Sequence, residues 1–156
     1  MDTERRPISI LMADDDPDDR ELTREALAAS RLRNPLHFVS DGEELMEYLR
    51  RTGRYQKADS APRPGLILLD LNMPRMDGRE ALSLIKSDPE LRAIPTVILT
   101  TSSADEDVYR SYSLGANSFI TKPVTFDGLV GVVRALGAYW FEIVDLPTAG
   151  REQRRD

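Results

Sequence analysis

Short apolar runs alternate with longer amphipathic stretches along most of this chain. The runs "ISILMA" and "LILLD" are apolar at nearly every position, which is typical of strands buried on both faces of a sheet. Stretches such as "DGEELMEYLRRTG" instead repeat apolar residues at helical spacing. Five runs alternate with five helical stretches, which predicts an α/β domain whose mainly parallel sheet is covered by helices on both faces. The predicted strands are 8–13, 35–40, 66–70, 94–101 and 118–123.

Polar residues mark the starts of several predicted helices. Asp16 and Pro17 suit the cap and the first turn of the first helix. Ser103 and Glu106 have the spacing of a capping box, so a helix is expected to follow them. The last helix is predicted to begin near Thr125.

The size and composition of the chain fit one compact domain. Its 156 residues are 40% hydrophobic and 31% charged, which is ordinary for a globular protein with a packed core. We expect the domain to span 7–146 and to be followed by a flexible charged tail, 147–156. The absence of cysteine excludes disulfides, thiol nucleophiles and thiolate metal sites.

The charge balance narrows the classes of partner. A formal net charge of −6 argues against non-specific binding to nucleic acid, which depends on neutralising phosphates with Lys and Arg. No apolar run approaches the roughly 20 residues of a membrane helix. The first residues, "MDTERRP", lack the apolar stretch of a signal peptide. We therefore expect a cytoplasmic protein with no nucleic-acid or membrane partner.

The candidate chemistry lies where the predicted strands end. In parallel α/β sheets, ligands bind outside the carboxyl ends of the strands. The first strand is followed by acids, the third ends at Asp70, the fourth ends in hydroxyls that include Thr100, and the fifth is followed by Lys122. We therefore expect these groups to share one edge of the sheet.

The acids after the first strand have two explanations. Acids favour the positive end of a helix, which accounts for Asp16 and the acids after it. That explanation is poor for Asp14 and Asp15, because they precede the cap. Oxygen ligands suit a hard divalent ion such as Mg²⁺. A calcium loop is disfavoured because Asp19 stands where that loop needs glycine and because a strand precedes it.

Asp70 could simply cap a turn, but its neighbours favour a nucleophile. A carboxylate can attack phosphorus to form an acyl phosphate. That transfer needs positive charge and hydrogen-bond donors around the phosphoryl oxygens. Mg²⁺, Lys122 and the hydroxyl of Thr100 could supply them, although a lone lysine after a strand is normally a solvated surface residue.

These residues together resemble the receiver domain of two-component response regulators, the CheY-like family. The resemblance is carried by the paired acids, by "DLNMPRMDG" after the third strand, by "LTT" after the fourth and by "KP" after the fifth. It implies a flavodoxin-like, doubly wound (βα)5 fold with five parallel strands in the order 2-1-3-4-5. It also implies that the chain accepts a phosphoryl group from a sensor histidine kinase and is not itself an enzyme beyond self-catalysed phosphotransfer and dephosphorylation.

The resemblance assigns a role to each matching residue. Asp70 becomes the phosphoacceptor, and Lys122 contacts the phosphoryl oxygens. Thr100 and Phe119 become the switch residues. The family's Lys-Pro bond is cis, which here is Lys122–Pro123, and Gly78 follows the active-site loop, where a backbone free of Cβ is useful. The implied Mg²⁺ ligands are Asp15, Asp70, the backbone carbonyl of Asn72 and, through water, Asp14.

Three further segments resemble the single-domain regulators of bacterial and cyanobacterial phytochromes. They are the loop 54–65, the stretch "LTTSSADEDVYRSYSLGANSFITKPV" and the end "GAYWFEIVDLP". A phytochrome-type kinase is therefore the expected partner. The chain itself cannot be that kinase, because it lacks a glycine-rich ATP motif.

The last helix predicts a second copy as a partner. On a helical wheel its apolar arc spans roughly 200°, whereas one core contact requires only about 100°. We predict a homodimer built on the last strand and helix, because contiguous exposed apolar patches are uncommon on monomers. A helix tucked more deeply into its own domain is the alternative. The arc contains Phe126, Leu129, Val130, Val132, Val133, Leu136, Tyr139, Trp140, Phe141 and Ile143.

Two other functions remain open. Haloacid dehalogenase-like phosphatases also use an aspartate nucleophile at a strand end with Mg²⁺. They need a second aspartate two places later, where this chain has Asn72, and their nucleophile follows the first strand. A phosphorylation-independent, dimerising adaptor is the other possibility, but it would not need the complete set of site residues.

Overall fold

The computed structural model describes residues 8–57, 59–101 and 104–139, and strands and helices alternate through them. A 3₁₀ turn at Gly53–Tyr55 begins the segment between the second helix and the third strand. The strands are β1 (Ile10–Ala13), β2 (Leu36–Val39), β3 (Leu66–Leu69), β4 (Thr96–Thr100) and β5 (Ser118–Thr121). The helices are α1 (Pro17–Ala29), α2 (Gly42–Arg50), α3 (Gly78–Ser87), α4 (Asp105–Leu114) and α5 (Phe126–Leu136).

The five strands form one parallel sheet in the order β2-β1-β3-β4-β5. The predicted doubly wound, flavodoxin-like fold is therefore confirmed. β2 pairs with one side of β1 and β3 pairs with the other side, so the order in which strands are added to the sheet reverses at β1. The carboxyl ends of β1 and β3 are consequently neighbours at the centre of the sheet.

Alternate residues of each strand face two separate cores. Leu11 of β1 packs with the face covered by α2 and α3, whereas its neighbour Met12 packs with the face covered by α1 and α5. The inner strands are buried at every position, which explains their uninterrupted apolar sequence.

Most helix starts follow the polar residues that predicted them, with one exception. The Asp16 carboxylate accepts the Asp18 N–H at 2.9 Å, and Thr125 caps α5 in the same manner. The predicted capping box is wrong, because α4 has Ala104 as its cap and no side-chain capping bond. Ser103 itself lies outside the described residues.

The helices of the described ranges are short, the longest being the 13 residues of α1. None of them combines the length and hydrophobicity needed to span a membrane.

Candidate functional site

Two buried aspartates stand side by side at the central carboxyl edge of the sheet. Ala13 and Leu69 are register partners, and the residues after them are Asp14 and Asp70. The Asp70 N–H donates to the Ala13 carbonyl at 3.0 Å, which extends the ladder to this point. Both aspartates are buried, whereas Asp15 is exposed.

Lys122 reaches these acids from the end of β5. Its ammonium lies 2.7 Å from Asp14 Oδ2, 2.7 Å from Asp19 Oδ2 and 3.2 Å from Asp70 Oδ2. The Lys122 N–H donates to the Thr100 carbonyl, so the strand pairing fixes where the side chain begins. Burial lowers the pKa of Lys122, but its hydrogen bonds to Asp14 and Asp19 outweigh burial and raise that pKa above its usual value.

Asp70 receives two further donors on its other carboxylate oxygen. The hydroxyl of Thr100 donates to Asp70 Oδ1 at 2.7 Å, and the Asn72 N–H donates to the same atom at 3.2 Å. Lys122 meets Oδ2, so the carboxylate is held in one orientation by three groups. The residues predicted for phosphoryl chemistry are thus brought together at Asp70.

The pKa of Asp14 is raised above its ordinary value. Desolvation by burial is the largest cause, and the nearby carboxylate of Asp70 acts in the same direction. The hydrogen bonds from Lys122 and from the Asp16 N–H lower the pKa but do not cancel the effect of burial. The ionised form of Asp14 is therefore less favourable here than in water, and a further positive charge nearby would favour it.

The acids fit a hard divalent ion. Asp14, Asp15 and Asp70 can each offer one oxygen so that all three oxygens lie within 4.8 Å of one another. Carboxylate oxygens are the ligands that Mg²⁺ prefers. The donor set and its spacing therefore match the predicted Mg²⁺ ligands among the side chains.

Gly78 is required by space rather than by backbone angle. Its φ is not in the left-handed region, but a Cβ at this position would lie 2.1 Å from the Asp70 carbonyl oxygen. The Gly78 N–H also donates to the Leu71 carbonyl at 3.0 Å. The start of α3 therefore closes directly onto the residue after β3, and the expectation of a special backbone conformation is replaced by one of close approach.

Phe119 and the Lys122–Pro123 bond lie on either side of Lys122 in the sequence, and only the expectation for the bond is tested by the structure. Phe119 is half-buried on β5 and packs against the core on the α2–α3 side, and its N–H donates to the Tyr112 hydroxyl at 3.1 Å. The expected cis bond at Lys122–Pro123 is wrong, because this bond is trans. Trans is the lower-energy form of a bond to proline, by about 0.5–1 kcal/mol.

Sequence reasoning missed Asp19 and Arg79. Asp19 was assigned to the helix start, yet it is one of the three acids on Lys122. Its position one turn into α1, next to the same edge of the sheet, is the signal that could have identified it. Arg79 donates to both carboxylate oxygens of Asp107 on α4, and another of its nitrogens lies 3.4 Å from the Leu71 carbonyl oxygen.

Comparison with known proteins gives a consistent match. The sequence model of one protein family, the response regulator receiver domain, matches residues 10–134 of this chain. Response regulator Rcp1 of Synechocystis sp. is 40% identical over 148 residues, covering 95% of this chain and 99% of Rcp1. The crystal structure of the phosphorylated cyanobacterial phytochrome response regulator RcpA has a TM-score of 0.84 and 42% identity, covering 92% of this chain and all of that one. The Mn²⁺-bound form of Rcp1 has a TM-score of 0.82 and 41% identity, covering 91% of this chain and all of that one.

Proposed function

Because the chain belongs to the response regulator receiver domain family, we propose that it accepts a phosphoryl group from a sensor histidine kinase on Asp70 and then changes its protein-binding surface. The observation that carries this proposal is the convergence of Lys122 and Thr100 on the two oxygens of one buried carboxylate. A carboxylate that only capped a turn would not need an ammonium from a strand 52 positions away.

In the proposed reaction, Asp70 supplies the electron pair. A bond forms between an Asp70 carboxylate oxygen and phosphorus, the phosphorus–nitrogen bond to the kinase's histidine breaks, and the imidazole leaves. The Lys122 ammonium stabilises negative charge on the phosphoryl oxygens, and the Thr100 hydroxyl can turn from Asp70 to donate to one of them.

The resident cation is proposed to be Mg²⁺. Asp14, Asp15, Asp70 and the backbone carbonyl of Asn72 would hold it, and when bound it neutralises charge on the phosphoryl oxygens. The Mn²⁺-bound form of Rcp1 supports a divalent ion in a relative of this chain. The phosphotransfer and the later loss of phosphate are proposed to be catalysed by these groups of the receiver itself.

The test is covalent labelling by acetyl phosphate in the presence of Mg²⁺. We expect one phosphoryl group per chain by intact-protein mass spectrometry and none in Asp70→Asn, which keeps the shape of the side chain but has no nucleophilic carboxylate. Undiminished labelling of the variant would refute the assignment of the nucleophile. Continuous turnover of small phosphate esters would instead favour a phosphatase, although the position of Asp70 after β3 already argues against that class.

A phytochrome-type kinase is the partner that the relatives favour. RcpA is named a cyanobacterial phytochrome response regulator, and this chain is 42% identical to it. We expect phosphotransfer from an autophosphorylated phytochrome kinase, a bacteriophytochrome above all, to proceed much faster than transfer from an unrelated histidine kinase. Equal rates from both kinases would contradict this pairing. The cytoplasmic location expected from the sequence stays a prediction.

A homodimer through the last strand and helix also remains a proposal. β5 forms an edge of the sheet, and Phe126 and Tyr139 are 39% and 54% exposed. Val130 and Val132 partly pack against their own core, which narrows the free apolar arc. The predicted contributions of Trp140, Phe141 and Ile143 lie outside the described residues. Light scattering that gives only a 17.6 kDa species, with and without phosphorylation, would contradict the dimer.

The domain bounds 7–146 are likewise proposed. The elements from β1 to α5 and the family match over 10–134 support them. The tail 147–156 lies outside the described residues.

A further inference from the structure

The loop after Asp70 is fixed to the start of α2 by an ion pair. This β3–α3 loop (71–77) contains Arg75, whose φ of 65° is left-handed. Two of the Arg75 guanidinium nitrogens, Nε and Nη2, each lie 2.8 Å from Asp41 Oδ2. The Asp41 side chain is only 1% exposed, so this ion pair ends on a carboxylate that is largely shielded from water.

A backbone contact reinforces this ion pair. The Gly42 N–H donates to the Met76 carbonyl at 2.8 Å. A Cβ at position 42 would lie 2.3 Å from that carbonyl oxygen, so only glycine allows α2 to begin this close to the loop. The loop is therefore held by a side chain and by the backbone at two consecutive residues.

The β2–α2 turn (40–41) is also linked to the segment after β1 through the side chain of Arg20. Arg20 donates from Nε to the Asp14 carbonyl at 2.8 Å and from Nη2 to the Ser40 hydroxyl. The Ser40 N–H in turn donates to Glu44 Oε1 at 2.8 Å. The β2–α2 turn thus lies against both of the segments that carry the proposed metal ligands.

Capping α2 does not by itself explain an aspartate at position 41. The cap uses only Oδ1, which accepts the Glu44 N–H at 2.8 Å, and Asn or Ser would serve as well. Burial raises the pKa of Asp41, but the Glu44 N–H and the Arg75 guanidinium outweigh burial and lower it. The charge on Asp41 is therefore stabilised by the first turn of α2 and by the loop together, and only the contact with the loop calls for a charge.

We propose that Asp41 and Arg75 are positioning residues of the phosphoacceptor site, which hold the β3–α3 loop so that the Asn72 backbone stays in place beside Asp70. This inference rests on the proposed function, because Asn72 matters only if the edge binds a cation and a phosphoryl group. The Arg75 side chain is 61% exposed, so Asp41→Asn leaves a solvated guanidinium and should alter the site more than the free energy of unfolding. Arg75→Met instead leaves the buried Asp41 carboxylate unpaired and should also lower the free energy of unfolding.

The test uses Asp41→Asn, which keeps the capping oxygen and removes the charge. Arg75→Met and the double variant complete a double-mutant cycle. Glu47→Gln is the matched control, because it removes a charge from the same helix and breaks an ion pair with Arg54 outside the loop. Each protein is examined by amide hydrogen exchange without metal, by Mg²⁺ titration calorimetry and by labelling with acetyl phosphate.

We expect faster exchange at the Gly42 and Gly78 amides in Asp41→Asn, and unchanged exchange at Ile67, whose N–H bonds within the sheet to Pro95. The Mg²⁺ dissociation constant should rise about tenfold, the typical effect of losing a residue that supports a metal ligand. The double variant should be no worse than Asp41→Asn alone. Glu47→Gln should match the wild type in all three measurements.

Two results would overturn the proposal. The first is an Asp41→Asn variant whose loop exchange rates and Mg²⁺ dissociation constant both stay within about twofold of the wild type, which is the spread expected of neutral substitutions. The other is exchange that rises equally in the sheet, which would make Asp41 merely structural. If the wild type itself takes no label, the proposed function fails, whereas the exchange comparison still decides whether the ion pair holds the loop.

Discussion

Replacing Lys122 by methionine would leave three carboxylates without their shared ammonium. Methionine keeps most of the length and the apolar stem of the side chain, so the change mainly removes one positive charge. The Lys122 side chain is only 12% exposed, and the Asp14 and Asp70 side chains are 1% and 8% exposed. Water therefore cannot replace the ammonium at two of the three acids.

The expected cost follows from this burial. Breaking a buried ion pair from one side costs about 3–5 kcal/mol, because the remaining charge is left unpaired. Asp70 keeps its bond from Thr100, and Asp14 keeps the one from the Asp16 N–H, so we expect the lower figure, about 3 kcal/mol. For a chain of this size, that loss lowers Tm by roughly 6–12 °C.

The assay is urea and thermal unfolding at pH 7 in EDTA and in Mg²⁺. Mg²⁺ at 100 times its dissociation constant stabilises a folded protein by about 2.7 kcal/mol. Because Lys122 competes for the same oxygens, Lys122→Met should bind Mg²⁺ more tightly than the wild type and should recover more of its stability. Its labelling by acetyl phosphate should nevertheless be slower, because the ammonium no longer neutralises phosphoryl charge.

The pH dependence gives a further check on the same variant. Without the ammonium, the pKa of Asp14 should move further above its ordinary value, so the protonated acid stabilises the folded state at low pH. That contribution is lost as the pH rises through the folded-state pKa, and the penalty of Lys122→Met should therefore shrink as the solution is acidified.

Lys86→Met is the matched control. Lys86 is also partly buried, but its ammonium donates to the Arg92 and Ile94 carbonyls instead of to acids. Its loss should destabilise the fold without any dependence on Mg²⁺. The reasoning would be refuted if Lys122→Met were as stable as the wild type in EDTA, or if it bound Mg²⁺ more weakly.

Three further outcomes are expected. Gly78→Ala should lower the free energy of unfolding by about 3 kcal/mol in urea titrations, because its Cβ would meet the Asp70 carbonyl. The control, Gly131→Ala on an open helix surface, should raise it by up to about 1 kcal/mol, and equal effects would contradict the close approach at residue 78. Thr100→Val should cost about 2 kcal/mol and slow labelling by acetyl phosphate, because a donor to a carboxylate is lost; unchanged labelling would remove Thr100 from the site. Asp14→Asn should stabilise the metal-free protein at pH 7, because a buried acid whose pKa is raised costs stability once it ionises. This gain in the free energy of unfolding should vanish as the pH falls toward 4, and a gain that grew on acidification would contradict the raised pKa of Asp14.

The architecture could be predicted almost completely from the hydrophobic pattern. Each strand begins and ends within two residues of its predicted bounds. The inner strands β1, β3 and β4 are buried on both faces and therefore leave unbroken apolar runs in the sequence. Ligands bind at the carboxyl ends of parallel strands, which predicts that Asp14, Asp70, Thr100 and Lys122 share one edge of the sheet. The structure brings these four residues into contact.

The individual contacts between distant segments could not be predicted in the same way. The pairs Lys122–Asp19 and Arg75–Asp41 join residues 103 and 34 positions apart. They depend on where the start of α1 lies relative to the end of β5 and on the path of one loop, and hydrophobic periodicity carries no information about either. The Ala104 cap of α4 shows the opposite failure, since a local capping signal was present and the helix did not use it.

The group of acids at the carboxyl ends of β1 and β3 is completed by β5, which is synthesised after the other four strands of the described sheet. Asp14 and Lys122 are 108 positions apart, and β5 joins the sheet only beside β4. A nascent chain that has folded β1 to β4 while β5 is still inside the ribosome would hold its buried acids with no lysine to balance them. The buried acids are therefore balanced only once Lys122 has left the ribosome, and a chain interrupted before β5 would keep these carboxylates without their ammonium.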